Sequence, residues 1–242
     1  MYFADQAHVP YGDRAPDELR GFLADNFAFL ESRGADAVVM GCNTSCAVAA
    51  RHGWPATLMR IFDLIDAAAE AVVASGARRI GVIATTATAR SGAYGDAIRA
   101  RHTSVHGREA AIEIQEVAAP ALVPLVEAGT LEGPIARAAV AASCENFELP
   151  LDALVLACTH YPLLDAHFEA VLGGGVTRID PALAQAERAA GFVTRRGGET
   201  GTGRTFYITS GALESFQRAV TMVCGSPGPN DAVERIALKS LV

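Results

Sequence analysis

The strongest constraint on how this chain can fold is a pair of matching stretches. Residues 152–164 read DALVLACTHYPLL and residues 36–44 read DAVVMGCNT. In each, Asp-Ala opens a short apolar run that ends at a cysteine, Cys42 in the first and Cys158 in the second, followed by small polar residues. Apolar runs of four to eight residues bounded by breakers read as buried strands, and strands covered on both faces belong to parallel sheets. Each cysteine is therefore expected at the carboxyl end of a strand, where open α/β sheets gather their ligands. The repeat predicts two equivalent thiols presented by two related halves.

Along the rest of the chain, apolar runs alternate with helical patterns. Strands are expected at 1–5, 37–41, 57–61, 79–84, 112–117, 153–157, 176–180, 205–208 and 233–238. Helices are expected at 16–33, from 44 or 45 to 52, and at 64–75, 90–101, 120–128, 134–147, 163–172, 181–194 and 212–224, with the polar, glycine-rich 195–204 as a loop. Val9-Pro10-Tyr11-Gly12 reads as a turn, because proline fixes φ and glycine tolerates positive φ. This alternation predicts an α/β fold with mainly parallel sheets.

Composition narrows the function. Half of the 242 residues are hydrophobic, so the chain has material for a large core. A net charge of −7 argues against nucleic acid or an anionic membrane as the main partner, and no run approaches the length of a membrane span. The opening MYFADQAHVPYG lacks the features of a signal peptide, and five cysteines without CxxC spacing read as reduced cytoplasmic thiols. Cys42 and Cys46 are spaced as a helical pair and His160 follows Cys158 by two, but no second ligand cluster completes a zinc site, so no metal is expected. Cys46, Cys144 and Cys224 read as small buried hydrophobes on helices, and His8, His52, His102, His106 and His167 as surface residues.

A lone strand-end cysteine is best read as packing. Two in matching contexts, each followed by polar residues that suit carboxylates and oxyanions better than a core, point to chemistry. A free thiol ionises only near pH ~8.5, so each needs help from hydrogen bonds, a helix N-terminus or a charged neighbour. Two thiols across a cleft suit one task well: one removes a proton from a carbon acid and the other returns a proton to the opposite face. A single-nucleophile mechanism leaves one of them unused.

The stretches YFADQAHVPYG, CNTSCAVA, IGVIATTATARSGAY, PALVPLVEAG and CTHYPLL, in this order, resemble the cofactor-independent glutamate racemases of the Asp/Glu racemase superfamily, from Tyr2 to the terminal VERIAL. The resemblance implies two α/β domains related by a pseudo-twofold, 1–66 plus 181–242 and 67–180, with the active site in the cleft between them. It implies that Cys42 and Cys158 shuttle the protons, with His160, Glu127 and Asp5 assisting. Tyr11, Gly12, Asn43, Thr44, Thr88, Thr159 and His160 then bind substrate. No cofactor is implied, the substrate is glutamate, the site is cytoplasmic, the product serves peptidoglycan, and the protein is a homodimer.

Other readings stay open. An aspartate or other amino-acid racemase shares the same scaffold, although His160 after Cys158-Thr159 favours glutamate. An impaired paralogue that binds a carboxylate or a protein is the non-enzyme alternative. The resembled family also opens with a strand ending in Asp-Ser-Gly, and this chain starts where that family has its second strand. In a sheet whose first strand is central, strands 1–5 and 37–41 would lack their shared neighbour. The expectation is a truncated form with weak or no activity, marginally stable or associating through the open sheet gap.

Overall fold

The computed structural model describes residues 1–107, 111–148, 150–195 and 203–237. Its strands form three sheets, and every pairing is parallel. The largest is built from β4 (Arg79–Ala84), β5 (Glu113–Ala118), β6 (Ala153–Ala157) and β7 (Thr177–Ile179), in the order β5-β4-β6-β7. All five residues of β6 are buried, as its unbroken apolar run requires. Its side chains alternate between two cores. Ala153, Val155 and Ala157 join one cluster with Val82 and Tyr94, while Leu154 and Leu156 join another with Val140 and Phe168. Each large side chain buried this way stabilises the fold by roughly 1.5–3 kcal/mol relative to exposure.

The remaining strands come from the two ends of the chain. β1 (Tyr2–Ala4), β8 (Phe206–Thr209) and β9 (Ala232–Arg235) form one sheet in the order β1-β8-β9. β2 (Ala37–Val39) pairs with β3 (Arg60–Phe62) in another. β2 is less buried than its twin β6, for Val39 is 50% exposed. The expected strand 37–41 is therefore shorter and the expected strand 57–61 is shifted, because the ladder pairs only Ala37–Val39 with Arg60–Phe62.

Helices α1 (Pro16–Ser32), α2 (Asn43–His52), α3 (Leu64–Ser75), α7 (Gly133–Cys144), α9 (Pro181–Arg195) and α10 (Leu213–Cys224) lie close to the expected spans. α3 is capped at one end by Asp63, whose carboxylate accepts from the Ile65 N–H at 3.0 Å, and ends at left-handed Gly76. The expected helix 90–101 is instead two, α4 (Thr86–Ser91) and α5 (Ala93–His106). Gly92 divides them at φ 65°, a conformation that favours glycine. The expected helix 120–128 is the shorter α6 (Leu122–Glu127). The expected helix 163–172 begins with a separate 3-10 turn, Tyr161–Leu164, before α8 (Asp165–Leu172).

Cys46 and Cys144 are buried, whereas Cys224 is exposed, because the inward face of α10 is spent on Phe216 and Val220. Residues 196–202 of the expected loop and Leu238 of the expected last strand lie outside the described residues. Among the described residues no helix is long and apolar enough to cross a membrane.

Candidate active site

The chemistry-bearing residues follow the carboxyl ends of parallel strands. Asp5 follows β1, Cys42 follows β2, Thr85 follows β4, Cys158 follows β6 and Ser210 follows β8. Such ends converge helix N-termini and strand-end loops on one side of the sheets.

Cys42 is the N-cap of α2, and its Sγ accepts from the Ser45 N–H at 3.5 Å. The helix N-terminus favours negative charge on that sulfur. Asn43, Thr44 and Ser45 are buried behind it. The Tyr94 hydroxyl donates to Asn43 Oδ1. Thr44 Oγ1 lies 3.1 Å from Thr85 Oγ1 and 3.3 Å from Thr88 Oγ1, and Thr85 and Thr88 are themselves 3.0 Å apart. This hydroxyl triangle ties the Cys42 helix to the first turn of α4, 41 residues further along the chain. From the opposite direction Gln185, on α9 and 4% exposed, donates through Nε2 to the Met40 carbonyl at 2.9 Å and the Phe62 carbonyl at 2.8 Å. The backbone entering the Cys42 turn is thus clamped at the ends of β2 and β3.

Cys158 ends β6 and is 5% exposed. Its thiol is pushed up to about 12, chiefly by burial, with the backbone N–H groups of His160 and Tyr161 opposing the rise and the charges of Cys42 and Glu127 adding to it. Cys42 thus lies close enough for its charge to act on the Cys158 sulfur. His160 Nδ1 is 3.8 Å from Cys158 Sγ, and His160 Nε2 is 3.4 Å from Glu127 Oε1. One histidine therefore links thiol and carboxylate. The turn is anchored by Tyr161, fully buried, whose hydroxyl donates to the Ala119 carbonyl at 2.8 Å.

Asp5 is the hub of a third group. Its carboxylate accepts from Tyr11 Oη at 2.5 Å, Ser210 Oγ at 2.7 Å and His8 Nδ1 at 2.8 Å. Asn26 Nδ2 donates to the same Tyr11 oxygen at 3.3 Å. Burial, then the Asp5 carboxylate, pushes the Tyr11 phenol well above the ordinary tyrosine range, and Cys42 adds to the effect. Gly12 lies against Thr85, where an added Cβ would sit 3.5 Å from the Thr85 Cβ.

The structure thus brings Cys42, Asn43, Thr44 and Thr88 into one hydrogen-bonded neighbourhood with Tyr11 and Gly12 beside it, and Cys158, His160 and Glu127 into another. Thr159 is exposed and joins none of the hydrogen bonds described above. His8 departs from its expected place at the surface: its ring stacks on Phe22 at 4.0 Å and 10°, and Asp5 holds its nitrogen. Thr85, Tyr94, Gln185 and Ser210 also enter without having been singled out as site residues. Their partners lie 41 to 205 residues away, which no local spacing signals. Among the described residues no group of three or more His, Cys, Asp or Glu side chains forms a metal cluster.

Residues 3–189 match the Asp/Glu/Hydantoin racemase family, and the chain belongs to it. Several of its relatives are glutamate racemases. The enzyme of Desulforudis audaxviator is 39% identical over 236 residues, covering 93% of this chain and 84% of the relative. Among solved structures, glutamate racemase isoform RacE1 from Bacillus anthracis superposes with a TM-score of 0.85 at 26% identity, covering 98% of this chain and 87% of that one. The glutamate racemase from Thermus thermophilus in complex with β-chloro-D-alanine gives 0.80 at 33% identity, covering 99% and 87%. The chain is an amino-acid racemase of this glutamate racemase group.

Proposed function

We propose that this protein interconverts L- and D-glutamate by two-base proton transfer, with Cys42 and Cys158 as the pair. The observation that carries the reading is the placement of one thiol just past the end of each of two matching strands, each beside backbone N–H groups, with Cys42 near enough for its charge to act on Cys158. Burial favours the protonated form of the Cys158 thiol at rest. In one direction, the Cys42 thiolate takes the proton from the substrate's α-carbon. The electrons left on carbon delocalise into the α-carboxylate, and the Cys158 S–H delivers its proton to the opposite face. The Cα–H and S–H bonds that break are replaced by an S–H and a Cα–H bond, so the product is the mirror image and the thiols have exchanged states. The reverse direction starts from that exchanged state.

His160, poised between Cys158 and Glu127, supports the Cys158 side, and Asp5 the Cys42 side. Tyr11, Gly12, Asn43, Thr44, Thr88 and Thr159 supply donors for the substrate carboxylates. The two groups of sheets, one from residues 79–179 and the other from 2–62 and 206–235, support domains of 67–180 and of 1–66 plus 181–242. A homodimer, a cytoplasmic location and a role in supplying D-glutamate for peptidoglycan rest on the family likeness. Incubation with L-glutamate, D-glutamate and L-aspartate, followed by chiral chromatography, tests the substrate. Turnover of both glutamate enantiomers without aspartate supports the reading; aspartate turned over as efficiently, or no turnover of either, overturns it.

A further inference from the structure

The Cys158 side of the site carries a histidine–carboxylate pair, His160 with Glu127. The Cys42 side carries one too, and its histidine is His8. Its Nδ1 lies 2.9 Å and 2.8 Å from the two oxygens of Asp5, and its ring is fixed by stacking on Phe22. Arg14 Nε donates to the His8 carbonyl at 3.2 Å, so the backbone of this residue is held as well as its ring.

Asp5 needs that donor. Its side chain is 5% exposed, and a buried polar group needs hydrogen bonds in place of the water it has lost. Its other side-chain donors are two neutral hydroxyls, Tyr11 and Ser210. Tyr11 in turn starts the 3-10 turn Tyr11–Asp13, which packs on α2, the helix capped by Cys42, and on α4. A continuous line therefore runs from His8 through Asp5 and Tyr11 to the Cys42 turn.

We propose that His8 is a positioning residue for the Cys42 base: through Nδ1 it fixes the Asp5 carboxylate in the orientation that meets Tyr11, and so sets the environment of the Cys42 sulfur. The inference rests on the reading of Cys42 as a base. Without the His8 donor, the Asp5 carboxylate loses one of its three side-chain partners and can turn, its bond to Tyr11 weakens, and the 3-10 turn that packs on the Cys42 helix loosens.

Three variants separate a donor effect from a packing effect. His8→Phe keeps an aromatic ring on Phe22 but has no donor. His8→Asn places an amide N–H near the position of Nδ1, and His8→Gln places it further out. Glutamate racemisation should fall about 10- to 100-fold in His8→Phe and His8→Gln, the size expected when a reacting group is misplaced, and recover to within about threefold in His8→Asn. Iodoacetamide labelling read by peptide mass spectrometry supplies an internal reference that needs no substrate. The rate at Cys42 should change at least threefold in His8→Phe and His8→Gln while the rate at Cys158 stays constant. If His8→Phe does not fold, the contrast between His8→Asn and His8→Gln decides alone. Equal rates in all variants, an Asn variant as poor as the Gln variant, or parallel changes at both thiols would overturn the proposal. Because labelling is independent of turnover, a failure here is distinct from full racemisation by Cys42→Ala, which would sink the two-base reading itself.

Discussion

Gln185→Leu isolates what holds the Cys42 turn. The leucine removes both Nε2 donors while keeping a buried side chain of similar reach. The Phe62 carbonyl still accepts the Met40 N–H at 3.0 Å, so the Met40 carbonyl bears most of the loss. A buried acceptor left unpaired costs about 1–3 kcal/mol, and the second bond about 1 kcal/mol more, partly offset by burying an apolar group in place of an amide. The net destabilisation is about 2 kcal/mol. For a chain of this size each kcal/mol moves the thermal midpoint by roughly 2–4 °C, so the expected drop is about 4–8 °C. Gln185→Glu should cost more, because a carboxylate has no hydrogen to give and faces two carbonyl oxygens. Thermal and urea unfolding followed by circular dichroism measures both. A Gln185→Leu protein within 0.5 kcal/mol of wild type, with Gln185→Glu equally stable, would refute the clamp.

Cys42→Ala and Cys158→Ala should each lower glutamate racemisation by a factor of about 100 or more, the contribution expected of a general acid or base. Each should still eliminate chloride from one β-chloro enantiomer, since elimination needs one base, and full racemisation by either variant would contradict the pairing. With its thiol pushed up to about 12, Cys158 is ionised in only about one molecule in ten thousand at pH 8. Its labelling by iodoacetamide should therefore be slow and rise about tenfold per pH unit to pH 10, with exposed Cys224 as the fast reference; equal rates at pH 8 would contradict the burial effect. Asp152 is held down to about 2 by the Arg79 guanidinium, with the backbone N–H groups of Arg78 and Arg79 contributing. A lowered carboxylate stabilises the fold above the unfolded value near 3.9 and loses that contribution as pH falls through about 2. Asp152→Asn should flatten the acid limb of stability between about pH 4 and 2, weakly because the pair faces solvent; an unchanged limb would contradict it.

Much of this arrangement was legible in the sequence for a simple reason. The apolar run of β6 is buried on both faces, so its strand, its end and Cys158 could be read from hydrophobicity alone. Asp63 and Gly76 bounded α3 through local capping chemistry, which is also written in the sequence. Gly92 falls inside the expected helix 90–101, because its left-handed conformation depends on how α4 and α5 pack. Residues that meet only after folding left no trace: Thr85 looks like any helix cap until Thr44 arrives beside it. Gln185 looks like a surface residue of an amphipathic helix until β2 and β3 end against it. His8 lies inside the YFADQAHVPYG stretch, but its pairing with Asp5 shows only in the folded turn, where Ser210, from the other end of the chain, completes the network.

The central claim is that the proton is taken from one face of the α-carbon and delivered to the other by different thiols. Racemisation of L-glutamate in D2O, followed by polarimetry or circular dichroism, tests it most directly. Two bases load solvent deuterium into the product while the unreacted enantiomer keeps its hydrogen. The deuterated product then returns more slowly than the protonated substrate reacts, so the optical signal should cross zero, overshoot and decay back. A signal that falls to zero without crossing, with deuterium entering the unreacted L-glutamate as fast as the product forms, would contradict the account.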